Sequence, residues 1–150
     1  MRCLFGQKEH PLYDDKSISQ VDQQRRNMQE SREILVVEDD EVLNSVVCRY
    51  VSIAGYDCRP ALDGGAALHA IEESPPRLVL LDLMLPDISG FDICKQLKSD
   101  PRTSKVPVVM VTSLSDDESR RQGMACGASA YLTKPFDPDQ LIQTIQRWAA

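Results

Sequence analysis

Residues 78–86 read Leu-Val-Leu-Leu-Asp-Leu-Met-Leu-Pro, and this stretch decides the fold. Four consecutive aliphatic residues run directly into one carboxylate, Asp82, and Pro86 follows four positions later. A continuous apolar run of this length predicts a strand buried on both faces, as in a parallel sheet between two layers of helices. Open parallel sheets bind their ligands at the carboxyl ends of such strands. Asp82 is therefore the first candidate for a residue that carries chemistry.

Strand and helix patterns alternate from residue 33 onward. The four further predicted strands lie at residues 34–37, 56–61, 106–111 and 128–133. The second of them alternates apolar and polar residues, which predicts an edge of the sheet. Residues 115–125 predict a helix with few apolar residues, so we expect it to be only slightly buried. Five strand–helix units with short right-handed connections predict an α/β fold, a doubly wound parallel sheet with helices on both faces.

Composition and charge exclude several classes of function. The chain has 150 residues, with 17 Lys and Arg against 23 Asp and Glu, and a net charge of −6. This balance predicts no direct binding to nucleic acid and no attraction to an anionic membrane surface. No apolar run approaches the roughly 20 residues that span a bilayer, and the N-terminus lacks the apolar segment of a signal peptide. We therefore expect a soluble cytoplasmic protein.

The cysteine pattern indicates neither a zinc site nor a disulfide framework. The chain has five cysteines, an odd number, and none of them forms a CxxC pair. They are Cys3, Cys48, Cys58, Cys94 and Cys126. We expect all of them to be reduced thiols, as is usual in cytosolic proteins.

Residues 1–32 differ in composition from the rest and are rich in Gln, Arg, Asp and Ser. Ile18, Val21 and Met28 follow a heptad-like spacing, but Arg25 interrupts it and two heptads are too few for a coiled coil. We expect a polar extension that is disordered or loosely helical, with a docking or dimerising helix as the alternative. The folded domain is expected over residues 33–150, with no output domain after it.

Polar and charged side chains follow four of the predicted strands. Glu38 and Asp39 follow the first strand, Asp82 the third, Thr112 the fourth and Lys134 the fifth. Because these strand ends meet at one edge of a doubly wound sheet, we expect the side chains to converge. Carboxylates brought together repel one another unless a cation joins them, and an all-oxygen set without His or Cys favours Mg²⁺.

A carboxylate beside Mg²⁺ and a lysine can act as a nucleophile on phosphorus and become an aspartyl phosphate. The metal and the lysine offset the charge on the phosphoryl oxygens, while a hydroxyl such as that of Thr112 donates a hydrogen bond. Each signal alone has a plainer interpretation, since Glu38 and Asp39 could merely start a helix and Lys134 could be a surface lysine. Their joint occurrence favours a site.

Four segments carry a family resemblance: Ile-Leu-Val-Val-Glu-Asp-Asp at 34–40, Leu-Leu-Asp-Leu-Met-Leu-Pro-Asp at 80–87, Val-Met-Val-Thr-Ser at 109–113, and Tyr-Leu-Thr-Lys-Pro-Phe at 131–136. With these motifs in this order, residues 33–149 resemble the receiver domain of two-component response regulators, of the chemotaxis-type single-domain kind. The resemblance implies a flavodoxin-like three-layer sandwich whose five parallel strands follow the order 2-1-3-4-5.

The resemblance also implies a role for each residue at the strand ends. Asp82 would be the phosphoacceptor and a ligand of Mg²⁺. Asp39 would bind the metal directly, Glu38 mostly through water, and Met84 through its backbone carbonyl only. Glu38 departs from the commoner Asp, and its side chain is longer.

Three further positions match the family's switch and phosphate ligands. Thr112 resembles the switch hydroxyl, and Lys134 resembles the lysine that binds the phosphoryl group. Tyr131 resembles the aromatic side chain that changes rotamer. The family also implies a cis bond between Lys134 and Pro135, which is plausible because only X–Pro bonds adopt cis at low cost.

The implied function is a signalling domain rather than an ordinary enzyme. It would accept a phosphoryl group on Asp82 from a sensor histidine kinase or a histidine phosphotransfer protein. The surface formed by the fourth helix, last strand and fifth helix would then change and act on a downstream protein, or form a homodimer. We also expect Mg²⁺-dependent self-phosphorylation from a small phosphodonor, and self-dephosphorylation.

Two alternatives come from other classes. A phosphate-independent adaptor with the receiver fold predicts a damaged acidic set or a lost lysine, and the sequence has neither. A metal-dependent phosphatase typically needs a second carboxylate two residues after its nucleophile, and Met84 occupies that position.

Overall fold

The computed structural model describes Gln20 and residues 31–150, so the prediction for the N-terminal extension lies almost entirely outside the described residues. The described strands are all parallel and form one sheet in the order β2-β1-β3-β4-β5, as predicted. The elements, in chain order, are β1 (Glu33–Val37), α1 (Glu41–Ile53), β2 (Asp57–Ala61), α2 (Gly64–Glu73), β3 (Leu78–Leu81), α3 (Gly90–Ser99), β4 (Val108–Thr112), α4 (Asp117–Ala125), β5 (Ala130–Thr133) and α5 (Pro138–Ala149).

The apolar run of β3 is buried on both faces of the sheet, as predicted. Val79 and Leu81 point into one core layer, which also contains side chains of α2 and α3. Leu78 and Leu80 point into the opposite layer, which contains side chains of α1 and α5. Because neither face of β3 meets water, every position of the strand is apolar, and the first polar side chain after it is Asp82 at the sheet edge.

Local capping explains where the helices begin and end. The Asp40 side chain accepts hydrogen bonds from the amides of Val42 and Leu43 at 3.0 and 3.1 Å, which starts α1. Gly55 follows this helix with φ of +101°, a conformation that favours glycine. The helix has 13 residues, and no helix in the described part of the chain is long and apolar enough to cross a membrane.

Three predicted elements begin two residues later than expected. β4 begins at Val108 rather than at residue 106, and β5 at Ala130 rather than at residue 128. The Val106 carbonyl accepts a hydrogen bond from Nζ of Lys98 at 2.7 Å instead of joining the sheet, and Pro107 has no N–H to donate. α4 begins at Asp117 rather than at residue 115, after the cap Asp116.

α4 is only slightly buried, as its composition predicts. Gly123 is the buried residue of this helix, and Met124 is exposed. The helix therefore has little apolar contact with the core, and its position depends on a few contacts with β5.

The prediction of reduced thiols is wrong for two of the five cysteines. Cys48 in α1 and Cys58 in β2 form a disulfide, with their Cα atoms 5.3 Å apart. The packing of α1 against the edge strand brings the two together, and no spacing in the sequence indicates that contact. Cys94 and Cys126 are free and buried, as expected, and Cys3 lies outside the described residues.

Candidate functional site

Four of the predicted site residues, Glu38, Asp39, Asp82 and Lys134, lie together at the carboxyl edge of the sheet. The amide of Asp82 donates to the carbonyl of Val37 at 3.0 Å, and the amide of Lys134 donates to the carbonyl of Thr112 at 2.8 Å. These backbone bonds hold Asp82 and Lys134 against the ends of neighbouring strands. The side chains that follow β1, β3 and β5 consequently converge at one point.

Three carboxylates form an acidic cluster at that point. One oxygen each from Glu38, Asp39 and Asp82 lies within 4.8 Å of the others. Glu38 and Asp82 are each 6% exposed, whereas Asp39 is open to solvent. Backbone amides orient the two buried groups, since Asp40 N donates to Glu38 Oε2 and Met84 N to Asp82 Oδ1, each at 3.1 Å.

Lys134 connects two members of the cluster. Its Nζ donates to Oδ2 of Asp82 at 2.9 Å and also contacts Oε1 of Glu38. The peptide bond between Lys134 and Pro135 is cis, as the family resemblance implies. A negatively charged group bound beside Asp82 would therefore lie next to the ammonium group of Lys134.

The charges of the cluster do not balance. Burial raises the pKa of Glu38 above its ordinary value of 4.5, although Lys134 and the amide of Asp40 act in the opposite direction. Burial lowers the pKa of Lys134, but its bonds to Glu38 and Asp82 outweigh burial and leave that pKa raised. The cluster contains three carboxylates and one ammonium group, so negative charge is in excess. Its donor atoms are all oxygens, a set that fits a hard divalent cation.

Thr112 and Tyr131 each form a hydrogen bond with the backbone of Leu114, a role of Leu114 that the sequence did not indicate. Thr112 is fully buried, and its Oγ1 accepts a hydrogen bond from the amide of Leu114 at 3.4 Å. The hydroxyl of Tyr131 donates to the carbonyl of Leu114 at 2.6 Å. The backbone of Leu114 therefore links the two predicted switch side chains.

Tyr131 is also covered by α4. The Arg120 guanidinium lies 4.8 Å from the centre of the Tyr131 ring, and its Nη1 donates to the carbonyl of Tyr131 at 3.3 Å. Tyr131 as a whole residue is 7% exposed. No sequence signal indicates this contact, because an arginine on a charged helix is usually solvated.

Asp87 holds the loop after β3 against α2. Its carboxylate accepts hydrogen bonds from the amides of Gly64 and Gly65, each at 2.8 Å. These bonds lower the pKa of Asp87 below its ordinary value, the bond from Gly64 most of all. The same loop carries Met84, whose side chain is exposed and whose carbonyl is the predicted ligand. Asp87 belongs to the 80–87 motif, but its role depends on the tertiary contact with α2.

Asn44 of α1 is a buried side chain that binds the backbone of the acidic cluster at Glu38. Its side chain is 2% exposed, and its Nδ2 donates to the carbonyls of Val36, Glu38 and Ala61 at 3.2, 3.0 and 3.2 Å. The amide therefore joins the ends of β1 and β2 next to Glu38. A polar residue three positions before Val47 on the apolar face of α1 is the sequence signal that could have revealed it.

Comparison with known proteins points to one family. A family model described as the response regulator receiver domain matches residues 34–146. The chain is 40% identical over 116 residues to the phosphate regulon transcriptional regulatory protein PhoB of Escherichia coli, covering 77% of this chain and 51% of PhoB. It is 38% identical over 113 residues to the DNA-binding dual master transcriptional regulator RpaA of Synechocystis, covering 75% of this chain and 47% of RpaA.

Solved structures have the same architecture. The chemotaxis protein CheY4 of Vibrio cholerae matches with a TM-score of 0.73 and 29% identity, over 79% of this chain and 98% of that one. The response regulator DrrB of Thermotoga maritima, an OmpR/PhoB homologue, matches with a TM-score of 0.71 and 35% identity, over 78% of this chain and 52% of DrrB. The chain spans about half the length of the curated relatives it matches. Together, the motifs, the strand order and the family match show that this chain belongs to the response regulator receiver domain family.

Proposed function

We propose that this domain accepts a phosphoryl group on Asp82 from a histidine-phosphorylated donor protein, either a sensor histidine kinase or a histidine phosphotransfer protein. The observation that carries the proposal is the bridge that Lys134 forms between Asp82 and Glu38 beside the exposed Asp39. A carboxylate in this setting has a cation beside it to meet the incoming phosphoryl oxygens.

The side chains would divide the work of the transfer. A carboxylate oxygen of Asp82 forms the new O–P bond, the N–P bond of the phosphohistidine breaks, and its electron pair returns to the imidazole, which takes up a proton. Lys134 and the hydroxyl of Thr112 would bind phosphoryl oxygens. Glu38, Asp39, Asp82 and the carbonyl of Met84 would hold Mg²⁺, which when bound neutralises charge on the transferring group. A small phosphodonor such as acetyl phosphate would serve the same nucleophile.

The signal would leave the site through Leu114. A Thr112 hydroxyl that turns toward the phosphoryl group gives up its bond from the Leu114 amide, and Tyr131 shares that residue through the carbonyl. Because α4 has little buried surface, a shift of this loop changes its position at low cost. The surface of α4, β5 and α5 would therefore present the signal to a downstream protein or to a second copy of the chain.

We propose a cytoplasmic receiver of this kind, without assigning it to chemotaxis. The names of the two curated relatives describe transcriptional regulators, and one of them is described as DNA-binding. The net charge of −6 disfavours direct contact between this domain and nucleic acid.

Phosphorylation with a small donor tests the proposal. The wild-type protein is incubated with acetyl phosphate and Mg²⁺, and intact mass spectrometry and base lability are used to detect an acyl phosphate. We expect one phosphoryl group on the wild type and on Asp92→Asn, a matched exposed acid in α3, and none on Asp82→Asn. An unmodified wild type, or equal modification of Asp82→Asn, would overturn the assignment.

A further inference from the structure

Asn44 connects the acidic cluster to a cysteine pair. Its Nδ2 donates to the carbonyl of Glu38 at 3.0 Å, so this side chain helps to hold the backbone of a proposed metal ligand. Its Oδ1 lies 3.5 Å from Sγ of Cys48, and no other group that could donate to this oxygen is found among the described residues. The amide is buried, so an Oδ1 without a donor would lack water to replace it.

The cysteine pair joins α1 to the edge strand of the sheet. Cys48 and Cys58 form a disulfide, with their Cα atoms 5.3 Å apart. Both side chains are partly exposed, in contrast to the free cysteines Cys94 and Cys126, which are buried. A low-molecular-weight oxidant or reductant can therefore reach this pair far more easily than the other two described cysteines.

The two oxidation states differ in what Cys48 can donate. As a thiol, Cys48 carries a hydrogen that Oδ1 of Asn44 can accept. As half of a disulfide, the sulfur carries no hydrogen, and two acceptors then face each other at 3.5 Å. This structure holds the disulfide form, in which the buried amide oxygen has no donor and only Nδ2, bonded to the Glu38 carbonyl at 3.0 Å, anchors the side chain by hydrogen bonds. Reduction adds a donor at Oδ1 and therefore strengthens the anchoring of the side chain that binds the Glu38 carbonyl.

We propose that Cys48 and Cys58 are a reversible thiol–disulfide pair whose oxidation state is transmitted through Asn44 to the metal-binding end of β1. The proposal rests on the proposed function in so far as that end is a Mg²⁺ site. In the oxidation, one thiolate attacks a low-molecular-weight disulfide such as oxidised glutathione, whose S–S bond breaks, so that a mixed disulfide forms and one glutathione thiolate leaves. The second thiolate then displaces glutathione, so two thiols lose two protons and two electrons and the oxidant becomes two thiols. A disulfide within a cytoplasmic protein is usually transient and redox-sensing rather than structural.

The experiment compares the reduced and oxidised full chain in a Cys3→Ser background, which removes the cysteine outside the described residues. Alkylation with peptide mapping measures the linkage, and calorimetric titration measures the affinity for Mg²⁺. We expect oxidised glutathione to link Cys48 to Cys58 and reduced glutathione to open the link. We expect the oxidised form to bind Mg²⁺ more weakly by about threefold to tenfold, because a group behind a ligand is changed rather than the ligand itself.

Two variants distinguish the loss of the Cys48 hydrogen-bond donor from the formation of the disulfide. Cys58→Ser keeps the Cys48 thiol and cannot form the link, so it should bind Mg²⁺ like the reduced protein whether or not oxidant is present. Cys48→Ala removes the donor without forming a link, so it should bind Mg²⁺ like the oxidised protein. Absence of the link, or a link that leaves Mg²⁺ affinity unchanged, would overturn the proposal, as would a Cys48→Ala variant that binds like the reduced protein.

A second readout does not depend on the metal. The side-chain amide of Asn44 and the backbone amide of Glu38 are followed by NMR in metal-free protein, and both signals should move on oxidation and in Cys48→Ala. If the reduced protein binds no Mg²⁺, the proposed function fails while these signals still decide the inference about the pair. Signals that stay in place on oxidation would contradict it.

Discussion

The ammonium group of Lys134 lies 2.9 Å from Oδ2 of Asp82 and also contacts Oε1 of Glu38. One cation thus holds together the ends of β1, β3 and β5. Both carboxylates are largely removed from water, so their charges depend on this lysine when no metal is bound.

Replacement of Lys134 by Met should destabilise the metal-free protein. The variant leaves two buried carboxylates without their cation, and we expect a loss of about 3 kcal/mol in the free energy of unfolding. Urea denaturation in EDTA measures this loss, with Lys95→Met, an exposed lysine of α3, as the control. Saturating Mg²⁺ should restore part of the stability, because it binds the folded state. Equal stability of the two variants in EDTA would contradict the role of Lys134.

Glu38 should make Mg²⁺ binding sensitive to mild acid. Because burial raises its pKa above 4.5, protonation and loss of metal affinity should begin at a higher pH than for a solvated glutamate. In metal-free protein the same shift also sets the direction in which pH changes stability. Folded Glu38 holds its proton more tightly than Glu38 of the unfolded chain does. The contribution of Glu38 to the free energy of unfolding is therefore lost as pH rises through its folded pKa. Calorimetric Mg²⁺ titrations from neutral pH to about pH 5 test this, since Glu38→Gln should bind more weakly and lose the corresponding pH step.

Gly90 should be irreplaceable because of its contact with the Asp82 backbone. A Cβ at position 90 would overlap the carbonyl oxygen of Asp82 and lie 2.7 Å from Cα of Leu83. Gly90→Ala should therefore lower the free energy of unfolding by about 1–3 kcal/mol. It should also shift the backbone NMR signals of Asp82. Gly65→Ala is the control, because its Cβ would have no neighbour closer than 3.5 Å. If both variants keep wild-type stability in chemical denaturation, the backbone contact at Gly90 is not restrictive.

Arg120 should hold Tyr131 in its buried position. Removing the guanidinium in Arg120→Gln should cost about 0.5–1 kcal/mol, the usual value of a cation–π contact at an exposed site. Burial is the main cause of the raised pKa of Tyr131, and Arg120 opposes it. The variant should therefore raise that pKa further, which a spectrophotometric titration of tyrosine measures.

The neighbouring arginine provides the control for that experiment. Arg121 pairs with Glu118 on the exposed surface of α4, and Arg121→Gln should leave the pKa of Tyr131 unchanged. A similar effect of both variants would mean that general charge, rather than the contact with the ring, is responsible.

Cys94 should destabilise the protein at alkaline pH. Burial raises the pKa of its thiol from 9.0 to about 11, and the neighbouring Cys126 adds to the shift. The folded state therefore keeps the proton when the unfolded chain loses it, and this contribution disappears as pH rises from 9 toward 11. Between about pH 8 and about pH 10.5 the wild type should lose about 2 kcal/mol relative to Cys94→Ala. Lys98, whose pKa burial lowers, contributes with the opposite sign in both proteins, so the comparison removes the part of its contribution that is due to burial. Parallel stability curves would show that Cys94 titrates normally.

Much of the fold could be predicted because its signals are local. The apolar run before Asp82 depends only on neighbouring residues, and the structure has this strand as expected. The caps Asp40 and Gly55 likewise act on the helix that lies next to them in the chain. The start of β4 could not be predicted in this way, because Lys98 from a different element binds the carbonyl of Val106. The same holds for Asp87, whose partners Gly64 and Gly65 lie more than twenty residues away.

The sequence by itself determined the strand–helix alternation and the set of side chains that follow the strands, because periodicity and chain order need no knowledge of distant contacts. Only the tertiary structure decided that Asn44 holds the carbonyl of Glu38 and that Cys48 meets Cys58. The tertiary structure alone also placed the Arg120 guanidinium over the ring of Tyr131. The physical reason is that each of these contacts joins residues from different elements, whose separation in space depends on how helices pack against the sheet.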